Sequence, residues 1–86
     1  MQTLMWEARA EAGQGEALLA WVREVLLTTF ADETCHLYRS VRQEGDRIVV
    51  NVDYAGPAAD PSILPVPPLE LSARAPHGWV FERLDG

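Results

Sequence analysis

The sequence predicts a single α+β domain in which one long helix packs on an antiparallel sheet, in the order strand, helix, two strands, arm, strand. Three observations carry this. Residues 2–10 alternate with the period of a strand, residues 16–30 repeat their apolar positions with the period of a helix, and all six prolines lie between Pro57 and Pro76. The chain has 86 residues, enough for one hydrophobic core and too few for two. Residues 1–86 are therefore read as one domain, with 57–76 as a Pro-rich arm.

Each element has its own local reason. In the first strand Leu4, Trp6, Ala8 and Ala10 share one face, and Thr3, Met5, Glu7 and Arg9 the other. Glu11-Ala12-Gly13-Gln14-Gly15 breaks the alternation with two glycines, a turn signal. At about 100° per residue, Leu18, Leu19, Trp21, Val22, Val25, Leu26 and Phe30 then cover an apolar arc of roughly 180°, opposite Glu16, Arg23 and Glu24. Such an arc is wider than one small sheet requires. Trp21 either reaches a second surface or caps the edge of the core.

Thr34–Arg42 reads as a second strand, with Cys35, Leu37, Arg39 and Val41 on one face and His36, Tyr38, Ser40 and Arg42 on the other. Gln43-Glu44-Gly45-Asp46 is a hairpin connection. Arg47–Tyr54 follows as a β-branched strand that turns Ile48, Val50, Val52 and Tyr54 to the core and Val49, Asn51 and Asp53 away from it. Pro61, Pro65, Pro67 and Pro68 forbid a regular helix beyond this point, because each lacks an amide donor and clashes with the preceding turn. The interleaved Ile63, Leu64, Val66, Leu69 and Leu71 predict an extended arm lying on an apolar surface, with a short edge strand at Leu69–Ala73. Trp79–Leu84 is the last strand, entered through Pro76-His77-Gly78.

Charge narrows the partners. Seven arginines, no lysine and thirteen acidic residues leave a net charge of −6, which disfavours nucleic acid and anionic membrane surfaces. No apolar run approaches the roughly 20 residues of a spanning helix, and the N-terminus lacks the basic segment of a signal peptide. Cys35 is the single cysteine, so no internal disulfide forms, and a reducing cytoplasm is the expected setting. With His36 and His77 as the only histidines and no cysteine pair, no metal site is expected. Gly13-Gln14-Gly15 lacks both the third glycine of a dinucleotide fingerprint and the lysine of a P-loop.

The element order is a ferredoxin-like βαββ(α)β plan with the second helix replaced by the arm. Trp6-Glu7-Ala8-Arg9-Ala10, Gly15-Glu16-Ala17-Leu18-Leu19, Cys35-His36-Leu37-Tyr38-Arg39-Ser40 and Ile48–Tyr54 resemble the dimeric α+β barrel superfamily, and within it the antibiotic biosynthesis monooxygenase (ABM) type. The resemblance covers about the first two-thirds of the chain through residue classes rather than an invariant signature. It implies a homodimer whose sheets pack face to face, each protomer keeping a pocket between its sheet and helices. It also implies oxidation of an aromatic or quinol-like small molecule without metal or flavin. Haem-degrading members use an Asn on the first strand with His and Trp from the second helix. Here the first strand carries Glu7 and the second helix is replaced, so that activity is not carried over. Dimerisation has a physical reason besides the resemblance: a chain this short buries only about 60% of its unfolded surface alone, and its sheet has apolar or aromatic groups on both faces.

His36 and Tyr38 share a strand face, as do Asn51 and Asp53, and Glu7 and Arg9. If those faces coincide, His36 is placed as a general base, with Tyr38 and Asn51 donating to a developing oxyanion. Glu7 and Asp53 would complete the polar lining, and Trp79 and Phe81 would stack on an aromatic ring. Each residue also has a plainer role: His36 as a solvated or interface histidine, Tyr38 in cross-strand packing, Asp53 as an ion-pair partner of an arginine. Two functions therefore stand side by side, a cofactor-independent monooxygenase and a non-catalytic dimer that binds a small ligand or a partner protein.

Overall fold

The computed structural model of the protein describes residues 1–85. Strand β1 (Gln2–Arg9) leads through the glycine turn into helix α1 (Gly15–Trp21), which continues as a π-helical turn (Val22–Leu26) and a 3-10 turn (Leu27–Phe30). Strands β2 (Thr34–Ser40) and β3 (Arg47–Tyr54) form the hairpin, and β4 (His77–Glu82) ends the sheet. The strand order is β2-β3-β1-β4 and every pairing is antiparallel. One helical layer on a four-stranded antiparallel sheet is the α+β arrangement the sequence predicts.

The helical segment is not the uniform α-helix expected over residues 16–30. Its buried positions Leu18, Val22, Leu26 and Phe30 are spaced by four. Each four-residue step overshoots an α-helical turn by about 40°, so an ideal helix would rotate this row off the sheet. The wider i→i+5 turn at Val22–Leu26 takes back part of that rotation. The row stays on the sheet, and Val25, placed on the apolar arc by the ideal period, is turned outward. Trp21 caps the core edge, its ring stacked on Trp6 with centroids 6.3 Å apart.

The core lies between the helical layer and the inner sheet face. Leu4, Trp6, Ala8 and Ala10 come from β1 and the residue after it, Ile48, Val50 and Val52 from β3, and Leu18, Leu19, Val22, Leu26 and Phe30 from the helical segment. Both strands obey the predicted alternation. The arm covers the rest of this face, with Ala58, Leu64 and Leu71 packed on the core. It includes one short 3-10 turn, Pro61–Ile63, where the Asp60 carboxylate accepts the Ser62 N–H. Its other apolar residues, Ile63, Val66 and Leu69, face outward.

Several boundaries differ from expectation. Strand β2 ends at Ser40, two residues short of Arg42. Leu69–Ala73 is a turn rather than an edge strand, because the Leu71 and Ser72 N–H groups both donate to the Pro68 carbonyl. The buried Ser72 hydroxyl then ties the arm to the Arg9 carbonyl at 2.7 Å. Strand β4 starts at His77, two residues before the predicted start, and ends at Glu82. Gly78, opposite Trp6, lets Pro61 lie directly against the strand: a β-carbon there would come 2.4 Å from the Pro61 side chain.

Asp46 fastens the hairpin end. Its carboxylate accepts the Arg42 N–H at 3.0 Å and the Arg39 guanidinium at 2.9 and 2.8 Å, while Arg39 also donates to Glu16 on α1. The Arg42 amide first, and Arg39 next, hold the Asp46 carboxyl below its ordinary range. The folded chain thus binds this proton less readily than the unfolded chain does. The resulting stability is present above about pH 4 and is lost as pH falls through the lower folded value. The stability difference between wild type and Asp46→Asn, measured by urea denaturation, is expected to be constant from pH 7 to 5 and to shrink below about pH 4. A gap that persists undiminished to pH 2 would contradict this linkage.

Candidate functional site

Period-two alternation sends one set of side chains away from the core on every strand, and the registers assemble them into rungs. Thr34, Asp53, Thr3 and Phe81 form one rung across β2, β3, β1 and β4. His36, Asn51, Met5 and Trp79 form the next, and Tyr38, Val49, Glu7 and His77 the third. All seven candidate residues (His36, Tyr38, Asn51, Glu7, Asp53, Trp79 and Phe81) therefore lie in three adjacent rungs of one face, the face that the helical layer does not cover.

Distances sort them further. Asp53 accepts the Thr3 hydroxyl at 2.9 Å and stands 3.9 Å from both His36 Nε2 and Arg83. It is thus an acidic centre with the imidazole within electrostatic reach but beyond hydrogen-bond length. Asn51 sits between Met5 and His36, and its Oδ1 is buried with no protein partner among the described residues. A buried amide oxygen without a donor costs about 1–3 kcal/mol, which makes this atom the most demanding acceptor on the face. Glu7 is bonded to Arg47, so its charge is already engaged. Trp79 stacks on His77 with centroids 5.6 Å apart.

Much of the face is aromatic and open: Tyr38 is 52% exposed, Phe81 49% and Trp79 46%. His36, Tyr38 and Asn51 line none of the three best-formed cavities of the protomer. The cavity that does lie beneath the arm, about 190 Å3, is on the opposite side of the sheet. It is lined by Trp6, Pro61, Leu64, Pro65 and Gly78, with His77 at the strand end. The arm thus does wall a cavity, but that cavity faces Trp6 rather than the polar rungs.

Cys35 alternates with His36 and points to the helical side, where burial first, and Glu33 and Asp53 next, push its thiol up. It is no activated nucleophile. Among the described residues no group of three or more His, Cys, Asp or Glu side chains could hold a metal ion, and no helix is long and apolar enough to cross a membrane. Thr3 and Arg83, which flank Asp53, were not among the residues singled out in the sequence. Thr3 is recoverable from the alternation of β1, and Arg83 from period two with Trp79 and Phe81 on the expected strand Trp79–Leu84, although β4 itself ends at Glu82. Neither a family model, nor a curated protein, nor a solved structure matches this chain.

Proposed function

We propose that the protein is a small-molecule-binding homodimer of the dimeric α+β barrel type, in which the open sheet faces of two copies close over the His36–Asn51 rung and hold an aromatic or quinol-like ligand. The observation that carries this reading is the collection of three exposed aromatic side chains and an unpartnered buried amide oxygen on one uncovered face. An antiparallel sheet commonly leaves such a face to solvent, and it is then polar. Here each rung sets an aromatic ring beside polar groups, which suits a planar ring stacked on Trp79 or Phe81 with a hydroxyl donating to Asn51. The strand order β2-β3-β1-β4 is also that of a ferredoxin-like chain, with the arm in place of the second helix.

A second reading, cofactor-independent monooxygenation, is favoured by His36 standing beside Asp53. In it His36 takes a proton from an activated ring carbon and Asp53 steadies the imidazolium. Molecular oxygen then converts the ring CH2 to a carbonyl, one oxygen atom entering the product and the other leaving as water. No external reductant is needed.

The test combines assembly, binding and turnover. Sedimentation equilibrium is expected to give a dimer, and a hydroxyanthraquinone is expected to quench tryptophan fluorescence saturably. Asn51→Ala and Tyr38→Phe should each weaken that binding about tenfold, the effect of losing one hydrogen bond. Oxygen uptake with an anthrone, lost in His36→Ala, selects the catalytic reading, and binding without uptake selects the first. A monomer that fails to quench removes both.

A further inference from the structure

The chain is acidic overall, yet four of its seven arginines converge on one pocket. Arg9 and Arg47 are register partners at the end of β1 and β3, Arg42 enters from the hairpin, and Arg74 from the arm. With Glu7 and His77 they line an open pocket of about 260 Å3. Chain connections bring them together from sites far apart in sequence: the Ala10 N–H donates to the Asp46 carbonyl at 2.8 Å, and the Ser72 hydroxyl to the Arg9 carbonyl.

The charges there are not used as structural charges are. Arg39 shows what a structural arginine looks like in this chain, with short bonds to two carboxylates. Arg47 is similarly bonded to Glu7, which cancels the one acidic group lining the pocket. By contrast, Arg9 and Arg42 share Glu44 at 3.4 and 3.9 Å, longer than the ~2.8 Å of a charge-assisted hydrogen bond. Arg74 has no ion-pair partner among the described residues. Glu11, in the adjoining cleft, accepts the Ala73 N–H. Even with Glu44 counted against it, the pocket keeps a surplus of positive charge and several unused guanidinium donors. Like charges held together with one shared, distant carboxylate between them raise each other's energy, and an anion that accepts from Arg9, Arg42 and Arg74 relieves this.

We propose that this pocket binds the phosphate group of a small phosphate monoester. Three guanidinium groups arranged around one cavity match the several acceptor oxygens of a dianion, which a single carboxylate would leave partly unmatched. The volume fits a phosphate with a few carbon atoms and falls below that of drug-sized sites, about 300–1,000 Å3. A nucleic-acid backbone is not the partner, because it needs a run of cationic contacts and the remaining surface is acidic. All of the lining comes from one protomer, and because Glu7, Arg9, Arg47 and His77 belong to the open sheet face, the pocket lies at the edge of the surface that a second copy would meet.

Calorimetric titration with inorganic phosphate and with phenyl phosphate, at fixed ionic strength, tests it. Both ligands are expected to bind saturably with one site per chain. Arg74→Gln, which breaks no ion pair and leaves the fold intact, is expected to weaken binding about tenfold or more. Arg23→Gln, on the exposed side of the helical layer, changes net charge equally and should leave affinity within about twofold. Absence of saturable binding, or equal weakening by the two substitutions, overturns the assignment.

Discussion

Replacing Trp6 with alanine is expected to cost about 3–5 kcal/mol, the largest loss from any single side chain in the molecule. Trp6 is fully buried at the centre of β1, opposite Val50 on one side and Gly78 on the other. It touches every layer: it joins the sheet core, stacks on Trp21 of α1 and lines the cavity under the arm. A domain of this size is stable by only about 4–13 kcal/mol, so Trp6→Ala consumes a large part of the total. A fall in Tm of at least about 12 °C should follow, at roughly 4–8 °C per kcal/mol. Trp6→Phe separates area from polarity. The indole N–H has no protein partner among the described residues, and an orphan donor costs about 1–3 kcal/mol. Phenylalanine removes that donor together with part of the ring area, so the two effects oppose and the net loss should stay below about 2 kcal/mol. Urea denaturation of both variants checks the pair. Equal, large losses would mean that the indole itself, and not the ring area it buries, governs the site.

The same residue shows how much of the fold could be read from the sequence. Alternation places Trp6 inward because Leu4, Trp6 and Ala8 repeat with period two, and the bounds of β3 follow from its β-branched run. The π turn at Val22–Leu26 is not legible in the same way. It depends on the sheet demanding a four-residue row from a 3.6-residue helix, and that demand exists only once β1 and β3 are paired. The turn at Leu69–Ala73 has a similar cause: local apolar alternation favours a strand, but the Pro68 carbonyl and the Ser72 anchor on Arg9 win. For the candidate site, period two puts His36 with Tyr38 and Asn51 with Asp53. It does not say that β1 lies between β3 and β4, and that ordering brings Trp79 and Phe81 onto the same rungs. The arginine pocket was least legible. Arg9, Arg42, Arg47 and Arg74 are scattered along the chain, and only tertiary hydrogen bonds unite them.

Gly45→Ala is expected to be the most damaging single-methyl addition, and its effect should reach the arginine pocket. Gly45 has φ = +133°, a conformation nearly closed to residues with a side chain and worth about 1–3 kcal/mol of strain. Its added β-carbon would also meet the Ala10 carbonyl oxygen at 2.0 Å. That oxygen is backbone and cannot swing aside, since the Ala10 N–H is held by the Asp46 carbonyl. Gly13→Ala is the matched control. Gly13 also has positive φ, +80°, but nothing lies within 4 Å of the added carbon, so only the conformational cost of about 1–2 kcal/mol applies. Gly45→Ala should therefore exceed Gly13→Ala by at least about 1 kcal/mol in urea denaturation. The hairpin can escape the overlap only by moving away from β1, and Asp46 moves with it. Arg42, whose N–H is bonded to Asp46, then leaves the pocket that it shares with Arg9 and Arg74. Phosphate affinity should consequently fall in folded Gly45→Ala and stay unchanged in Gly13→Ala. Equal stability losses in the two variants would mean that the Ala10–Gly45 approach is not held rigidly, and the pocket's wall with it.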